Sequence, residues 1–209
     1  MKRIFFLATI CLCGVTLLGC ATVRRHSILR AWKLPIQISE VDDKYLLSVP
    51  ESQVILKFPK GNFLRAYPRI GGATANPRYF FFEDKKAGII VSGWFEPEKL
   101  YPGIQQLWEQ DTKAYARSGL SSPQNVSFEK QGIWDLIFFS RVGLPNMRAN
   151  CVLAGTWIDL HISLYPSSTD DRARLIEFLK SVEVERGQIK RELERMEAGP
   201  DLFIEFIHS

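Results

Sequence analysis

The stretch TWIDLHIS, Thr156 to Ser163, is the clearest indication of a β-sheet in the sequence, because aliphatic side chains alternate with polar or aromatic ones. Successive side chains of a β-strand point to opposite faces of the sheet, so this pattern indicates a strand. One face is apolar and consists of Ile158, Leu160 and Ile162. The other face is chemically mixed and consists of Trp157, Asp159, His161 and Ser163. We therefore predict a strand with its apolar face in the core and its mixed face under a covering helix.

The mixed face raises an enzymatic alternative. Asp159 could orient His161, which would then activate Cys151 or Ser163 as a nucleophile. However, side chains two apart on one strand start about 6.5–7 Å from each other, which is long for a direct hydrogen bond. A reactive thiol needs a pKa that is lowered by nearby cations or by the start of a helix, and Arg148 is the only cation close in sequence to the cysteine. We therefore favour a structural role for the two polar side chains and a buried, inert thiol.

No metal or cofactor site is predicted. The three histidines, His26, His161 and His208, lie far apart in the sequence and show no ligand spacing for zinc. The serine-hydrolase motif G-x-S-x-G is not formed at Ser92, because a glycine follows the serine but none precedes it at the required spacing. The sequence thus contains weak catalytic candidates but no catalytic motif.

The first half of the chain reads as strands. Asp42 and Asp43 suit a tight turn between two short strands, and GIIVSGWFEP follows YFFFED in a second hairpin. The four consecutive aromatic residues 79–82 cannot alternate in polarity, so we predict a central strand that is covered on both faces. Two further hairpins are predicted to turn at Gln131-Gly132 and at Ala154-Gly155.

Two segments have helical periodicity. The first ends at Gly119 and has an apolar stripe of Ile104, Leu107, Trp108 and Tyr115. The second is predicted to be capped by Ser168, and its stripe is Leu175, Phe178, Leu179 and Val182. A short strand, VEVE, follows it. Strands interrupted by two helices predict an α+β fold in which an antiparallel β-sheet is sandwiched with helices.

Three segments resemble the PsbP-like superfamily: GIWDLIFFSR (132–141), GTWIDLHIS (155–163) and LIEFLKSVEV (175–184). This superfamily includes the extrinsic photosystem II protein, Ran-binding relatives in eukaryotes and small bacterial lipoproteins. The resemblance covers residues 35–185 and implies a PsbP-like α+β domain. It implies a role as an adaptor or assembly factor and provides no shared catalytic set. Residues 186–209 lie outside it and are predicted to form a C-terminal helical and apolar tail.

The amino terminus, MKRIFFLATICLCGVTLLGC, predicts a lipoprotein. A basic start is followed by an apolar run of about 15 residues, which is the length of a signal-peptide core and too short to span a membrane. The final LLGC resembles a lipobox. We therefore predict residues 1–19 to be a signal peptide, Cys20 to carry acyl chains such as palmitate, and residues 20–34 to be a tether. Ala21, in place of Asp, favours the periplasmic face of the outer membrane over retention in the inner membrane.

Cleavage changes the composition on which function is judged. Removing 19 of 209 residues leaves 190, and Lys plus Arg falls from 27 to 25 against 23 Asp plus Glu. This near-balance argues against nucleic acid as a partner. Cys11 and Cys13 leave with the signal peptide and Cys20 is lipidated, so Cys151 has no partner for an internal disulfide.

Taken together, these features predict a non-catalytic binding or assembly module with a protein partner in the cell envelope. Two alternatives remain open from sequence. The first is a small hydrolase or thiol enzyme that uses Cys151 or Ser163 with His161. The second is a carrier of an apolar ligand, for which Trp94 and Trp157 are the candidate contact residues.

Overall fold

The computed structural model describes residues 34–65, 77–165 and 170–189. The predicted signal peptide, the lipidated Cys20, the tether up to Lys33 and the tail from residue 190 lie outside the described residues. The predicted cap at Ser168 is wrong, because the second helix begins at Asp171 and its N-cap position is Asp170. Within them, the chain forms eleven strands in two antiparallel sheets, two α-helices and a short 3-10 helix. The predicted α+β class is therefore confirmed.

The smaller sheet has four strands in the order β1-β2-β3-β11. Its strands are β1 (Gln37–Val41), β2 (Lys44–Ser48), β3 (Val54–Pro59) and β11 (Glu183–Arg186). The closing strand β11 is the predicted VEVE segment, and it pairs with β3. The first three strands of this sheet are thus joined by β11, the last strand within the described residues.

The larger sheet has seven strands in the order β4-β5-β6-β10-β9-β8-β7. Its strands are β4 (Leu64–Arg65), β5 (Tyr79–Asp84), β6 (Ile89–Pro97), β7 (Gln124–Gln131), β8 (Trp134–Arg141), β9 (Leu144–Leu153) and β10 (Thr156–Leu164). The helices are α1 (Ile104–Arg117) and α2 (Asp171–Lys180), and the 3-10 helix is Glu98–Leu100. The strand β10, which contains TWIDLHIS, lies at the centre of this sheet.

The predicted hairpin turns are confirmed by the backbone. Asp42 and Asp43 have φ angles of 47° and 59°, and Ala154 and Gly155 have φ angles of 47° and 77°. Two consecutive residues with positive φ are the signature of a tight hairpin turn whose twist matches that of the strands. Each turn fixes the register of its hairpin. The turn at Ala154-Gly155 thereby determines which side chains of β10 enter the core.

The core is an aromatic cluster that joins both sheets and α2. The ring of Phe58 on β3 lies 5.1 Å from that of Phe82 on β5 and 6.3 Å from that of Phe178 on α2. Phe58 and Phe82 are fully buried, and Phe178 is almost so. Aromatic pairs at these separations add about 0.5–1.5 kcal/mol each beyond the area that they bury. Phe82 and Ile162 are both register partners of Val91 on β6, so the core lies on the apolar face of β10, as predicted.

The helix α1 packs against the other face of the larger sheet. Its Leu107 is buried, and the Trp108 ring lies 5.1 Å from that of Phe139 on β8. The predicted stripe thus faces the sheet, and Gly119, with φ of 65°, follows the helix end. The mixed face of β10 is covered by a helix, as expected.

The strand β5 differs from its prediction as a central strand covered on both faces. It is second from one end of the sheet, beside the two-residue strand β4, and its burial alternates. Phe80 and Phe82 are buried in the core, whereas Tyr79 and Phe81 are only partly buried. The reason is that aromatic side chains suit a half-covered face as well as a core, so a run of four does not reveal burial on both sides.

None of the helices in the described ranges combines the length and the apolar character that a membrane span requires.

Candidate functional site

Strand register brings the mixed-face residues into rows across the larger sheet. One row runs Asp135, Asn150, Asp159, Trp94 and Tyr79, from β8 through β9, β10 and β6 to β5. The next row runs Ile137, Arg148, His161, Ser92 and Phe81 on the same five strands. A strand places alternate side chains on one face, so both rows meet α1. Polar groups far apart in sequence are thereby collected under one helix.

Arg148 is the centre of an ion-pair network in these rows. Its Nε donates to Asp159 Oδ1 at 2.8 Å, its Nη2 donates to Asp159 Oδ2, and its Nη1 donates to Asp111 Oδ2 on α1. The two side chains of the strand pair are 9% and 2% exposed, whereas Asp111 is 25% exposed. The guanidinium also lies 5.8 Å from the centre of the Trp94 ring. Bidentate pairing of this kind fixes the planar guanidinium in place.

A cavity of about 210 Å³ opens beside this network, between α1 and the sheet. Its lining combines aromatic rings with paired charges: Tyr79, Ser92, Trp94, Asp111, Tyr115, Phe139, Arg148, Asp159 and His161. We call it the α1 pocket. Its volume is below the roughly 300–1,000 Å³ of sites for drug-sized ligands, so it fits a small group.

His161 has a well-defined hydrogen-bonding role at this pocket. Its Nε2 lies 3.2 Å from Asn146 Oδ1, which also accepts the Ser163 hydroxyl at 2.6 Å. Asn146 Nδ2 donates to the Leu144 carbonyl at 2.7 Å, which fixes the orientation of the amide. The proton of the neutral ring is therefore on Nε2. Burial, and secondarily the positive charges of Arg148 and Arg141, lower the pKa of His161 to about 3, so the ring stays neutral.

The geometry of the enzymatic alternative is not formed. Asp159 binds Arg148 with both oxygens and does not orient His161. The Ser163 hydroxyl donates to Asn146, and His161 donates to the same oxygen, so the imidazole is not placed as the base for that serine. A nucleophile and its base need a direct hydrogen bond.

Cys151 lies on the opposite face of the sheet. It is the register partner of Ile158, so it shares the core face, and it is 1% exposed. Burial, and to a lesser extent the negative charge of Asp135, raise the pKa of the Cys151 thiol to about 12. This thiol therefore remains protonated and is separated from His161 by the sheet.

The two tryptophan candidates have different surroundings. Trp94 lines the α1 pocket, where its ring lies 6.2 Å from that of Tyr79. Trp157 does not line it: its Nε1 donates to Asn150 Oδ1 at 3.0 Å, and its ring packs 5.2 Å from that of Tyr101. Only Trp94 is thus placed to contact a ligand of this pocket.

Asp111 and Tyr115 were not among the residues singled out as site candidates from the sequence. Both lie on the sheet-facing side of α1, and Asp111 is four positions after Leu107 and four before Tyr115. An acidic residue in line with an apolar stripe is a signal that a buried or half-buried cation lies opposite. The sequence contains this signal, although it does not identify Arg148 as the partner.

Among residues 34–65, 77–165 and 170–189, no group of three or more His, Cys, Asp or Glu side chains is arranged to hold a metal ion.

Comparisons with known proteins give similarity at the level of structure only. No family model matches the sequence, and no curated protein matches it. Among solved structures, the chain is similar to cyanobacterial PsbP (CyanoP) from Synechocystis sp. PCC 6803, at a TM-score of 0.48 and 12% identity, over 70% of this chain and 95% of that chain. It is also similar to a protein of Bacteroides thetaiotaomicron, at a TM-score of 0.37 and 12% identity, over 64% of this chain and 46% of that one. A PsbP thus occurs among the similar structures, and at this level of similarity no activity or partner is transferred from it.

Proposed function

We propose that this chain is a non-catalytic binding module of the cell envelope, and that the α1 pocket is where it holds a small group of its ligand or partner. The module is tethered by lipid on Cys20 at the periplasmic face of the outer membrane. The sequence supports this anchor, because a signal-peptide core ends directly at LLGC. Several acyl chains make such an anchor effectively permanent, at about 0.8 kcal/mol for each buried CH₂.

The observation that carries the proposal is the state of the polar groups in the pocket. Arg148 is held by two carboxylates, the thiol of Cys151 faces the core, and His161 is neutral. Nucleophilic and general acid–base catalysis need an activated nucleophile or a base that changes its protonation state near the working pH. A cavity with aromatic walls and ion-paired charges instead suits recognition, because its polar groups are already held in place before the ligand arrives.

The size of the pocket also bears on the apolar-carrier alternative. A cavity of about 210 Å³ lies below the volumes of sites that enclose drug-sized ligands. It would accommodate a side chain or a headgroup, whereas a lipid chain would need more space. We therefore favour a module that recognises one small group over a carrier that encloses a lipid.

The test is site-specific photo-crosslinking in cells of the full-length lipidated protein. A benzophenone amino acid replaces Trp94 in the pocket, and the matched control carries it at Val142, a residue 80% exposed in the turn between β8 and β9. We expect a discrete adduct from position 94 that is absent from position 142. The adduct should weaken when Cys20→Ala removes the lipid.

Equal adduct patterns from positions 94 and 142 would contradict a role for the pocket in binding. An adduct that survives Cys20→Ala at full yield would contradict the anchor as part of the function and leave the pocket assignment standing.

A further inference from the structure

We infer that the α1 pocket recognises an organic ammonium group, primary or quaternary, rather than an anion or an uncharged apolar group. This inference rests on the proposed function, because it names the chemistry of the group that the pocket would hold. It is carried by three properties of the pocket lining: its charge, its aromatic rings and its acceptor atoms.

The charge of the lining is negative. Asp111 and Asp159 contribute two negative charges, and Arg148 contributes the single positive charge. The guanidinium is fixed between these two carboxylates, so it is not free to turn towards an incoming anion. An anionic ligand would have to break one of these ion pairs, whereas a cation would meet two carboxylates against the single guanidinium of the lining. Arg141 lies outside the lining, and its positive charge offsets part of this negative charge. Aromatic walls of low polarity strengthen this field, because they exclude water from the space between the charges.

The aromatic rings of the lining already bind cations from the chain itself. The Arg148 guanidinium lies 5.8 Å from the centre of the Trp94 ring, and that of Arg141 lies 5.1 Å from the centre of the Tyr115 ring. Tyr79 lies beside Trp94 with 6.2 Å between ring centres. A cation within about 6 Å of an aromatic face is attracted by the ring quadrupole, by about 0.5–1 kcal/mol when exposed and about 2 when desolvated. Because Arg148 and Arg141 each occupy one side of these rings, an ammonium group would meet the remaining aromatic surface of the lining, to which Tyr79 and Phe139 also contribute.

The pocket also offers acceptors to an N–H donor. Asp111 contacts Arg148 through Oδ2, and its side chain is 25% exposed, so this carboxylate can accept a further hydrogen bond from a ligand. His161 donates through Nε2 to Asn146, so its Nδ1 is unprotonated and can act only as an acceptor. A primary ammonium has three N–H donors and no acceptor, which complements these two acceptors.

Arg141 provides a test of the charge of the ligand, because it is a positive charge at the edge of the pocket that does not line the cavity. If the ligand is a cation, removing this charge reduces repulsion and tightens binding. If the ligand is an anion, removing it weakens binding. Replacing Asp111, a negative charge that does line the cavity, should have the reverse effects. The two substitutions therefore report the sign of the ligand independently of its exact structure.

The experiment uses the full-length lipidated protein in detergent micelles and measures binding by calorimetry. The probes are choline, its uncharged isostere 3,3-dimethylbutan-1-ol, Nα-acetyl-lysine amide, and acetate. We expect choline to bind about tenfold more tightly than the isostere, a factor that corresponds to 1–2 kcal/mol of cation–π attraction. We expect Asp111→Asn to weaken choline binding about fivefold and Arg141→Gln to strengthen it two- to threefold, as single screened charges do. Acetate should not compete.

Comparing choline with Nα-acetyl-lysine amide separates the two sources of an ammonium group. Tighter binding of the lysine derivative indicates the side chain of a protein partner, and tighter binding of choline indicates a small molecule or a lipid headgroup. Equal affinity for choline and its isostere would overturn the inference, as would binding of acetate that Asp111→Asn strengthens, or no binding of either ammonium probe. In each of these cases a specific crosslink from position 94 would still support the binding module, so the two proposals fail separately.

Discussion

Arg148→Met keeps an unbranched side chain of similar length and removes the guanidinium that binds Asp159 and Asp111. The Asp159 side chain is 2% exposed, so its carboxylate would remain in a dry site with no counter-ion. Removing one partner of a buried ion pair costs about 3–5 kcal/mol, because the other charge is left uncompensated. The Asp111 side chain is 25% exposed and regains water, so it adds little. We expect the free energy of unfolding to fall by about 3–5 kcal/mol, a large part of the roughly 5–15 kcal/mol typical of a domain.

The assay is urea unfolding of the non-lipidated mature chain, followed by tryptophan fluorescence. Arg148→Met combined with Asp159→Leu should recover most of the lost stability, since no buried charge then remains. Asp111→Asn is the matched control, and we expect it to cost below about 1 kcal/mol because this partner is partly solvated. Acidifying the buffer should rescue the single variant in part, because protonation of the isolated carboxylate removes its charge.

A loss below about 1 kcal/mol for Arg148→Met, the range of exposed ion pairs, would refute a dry ion pair at the centre of the sheet. The same conclusion would follow if the double variant were less stable than Arg148→Met alone.

Three further predictions concern residues around this network. Gly93→Ala should lower the free energy of unfolding by about 1–3 kcal/mol, since an added Cβ would lie 2.2 Å from the Asp159 carbonyl oxygen and 2.9 Å from Phe80 Cζ; an unchanged urea midpoint would contradict this. The Cys151 thiol, with its pKa raised to about 12, should resist iodoacetamide at pH 7.5 until the protein is unfolded, and rapid alkylation of the native protein would show that the thiol is accessible. The pKa of His161 is lowered to about 3 from 6.5, so the unfolded chain takes up this proton first; the histidine's contribution to stability is complete above pH 6.5 and is lost as the pH falls towards 3. We expect His161→Gln to reduce that pH dependence, and an NMR titration in which the His161 ring protonates near pH 6.5 would contradict the lowered value.

Local chemistry made much of the fold predictable. Asp42, Asp43 and Gly155 are residue types that favour tight turns, and the structure confirms both turns. The alternation in 156–163 correctly separated core from covered face. These features depend on neighbours along the chain, so they are readable without knowing the tertiary structure.

Strand order was not predictable, because it depends on contacts between distant segments. Nothing local in the sequence assigns β11 to the sheet of β3, or places β6 beside β10. The site also depends on contacts between distant segments. The sequence shows Arg148 as a cation near Cys151, but its partners Asp111 and Asp159 come from α1 and β10. The error in β5 has the same origin, since its place near the sheet edge follows from strand order.

The pairing of β11 with β3 has a consequence for how the chain matures. Glu183 is the register partner of Lys57, so the smaller sheet cannot close until nearly the whole domain has been synthesised, and such distant pairings form slowly. Until then β3 presents an unpaired edge made of Val54, Ile55 and Leu56, all of which are fully buried in the finished protein. A chain truncated before Glu183 would keep that apolar edge open and would be prone to self-association through it. We therefore expect β11 to protect the chain against aggregation in addition to its structural role.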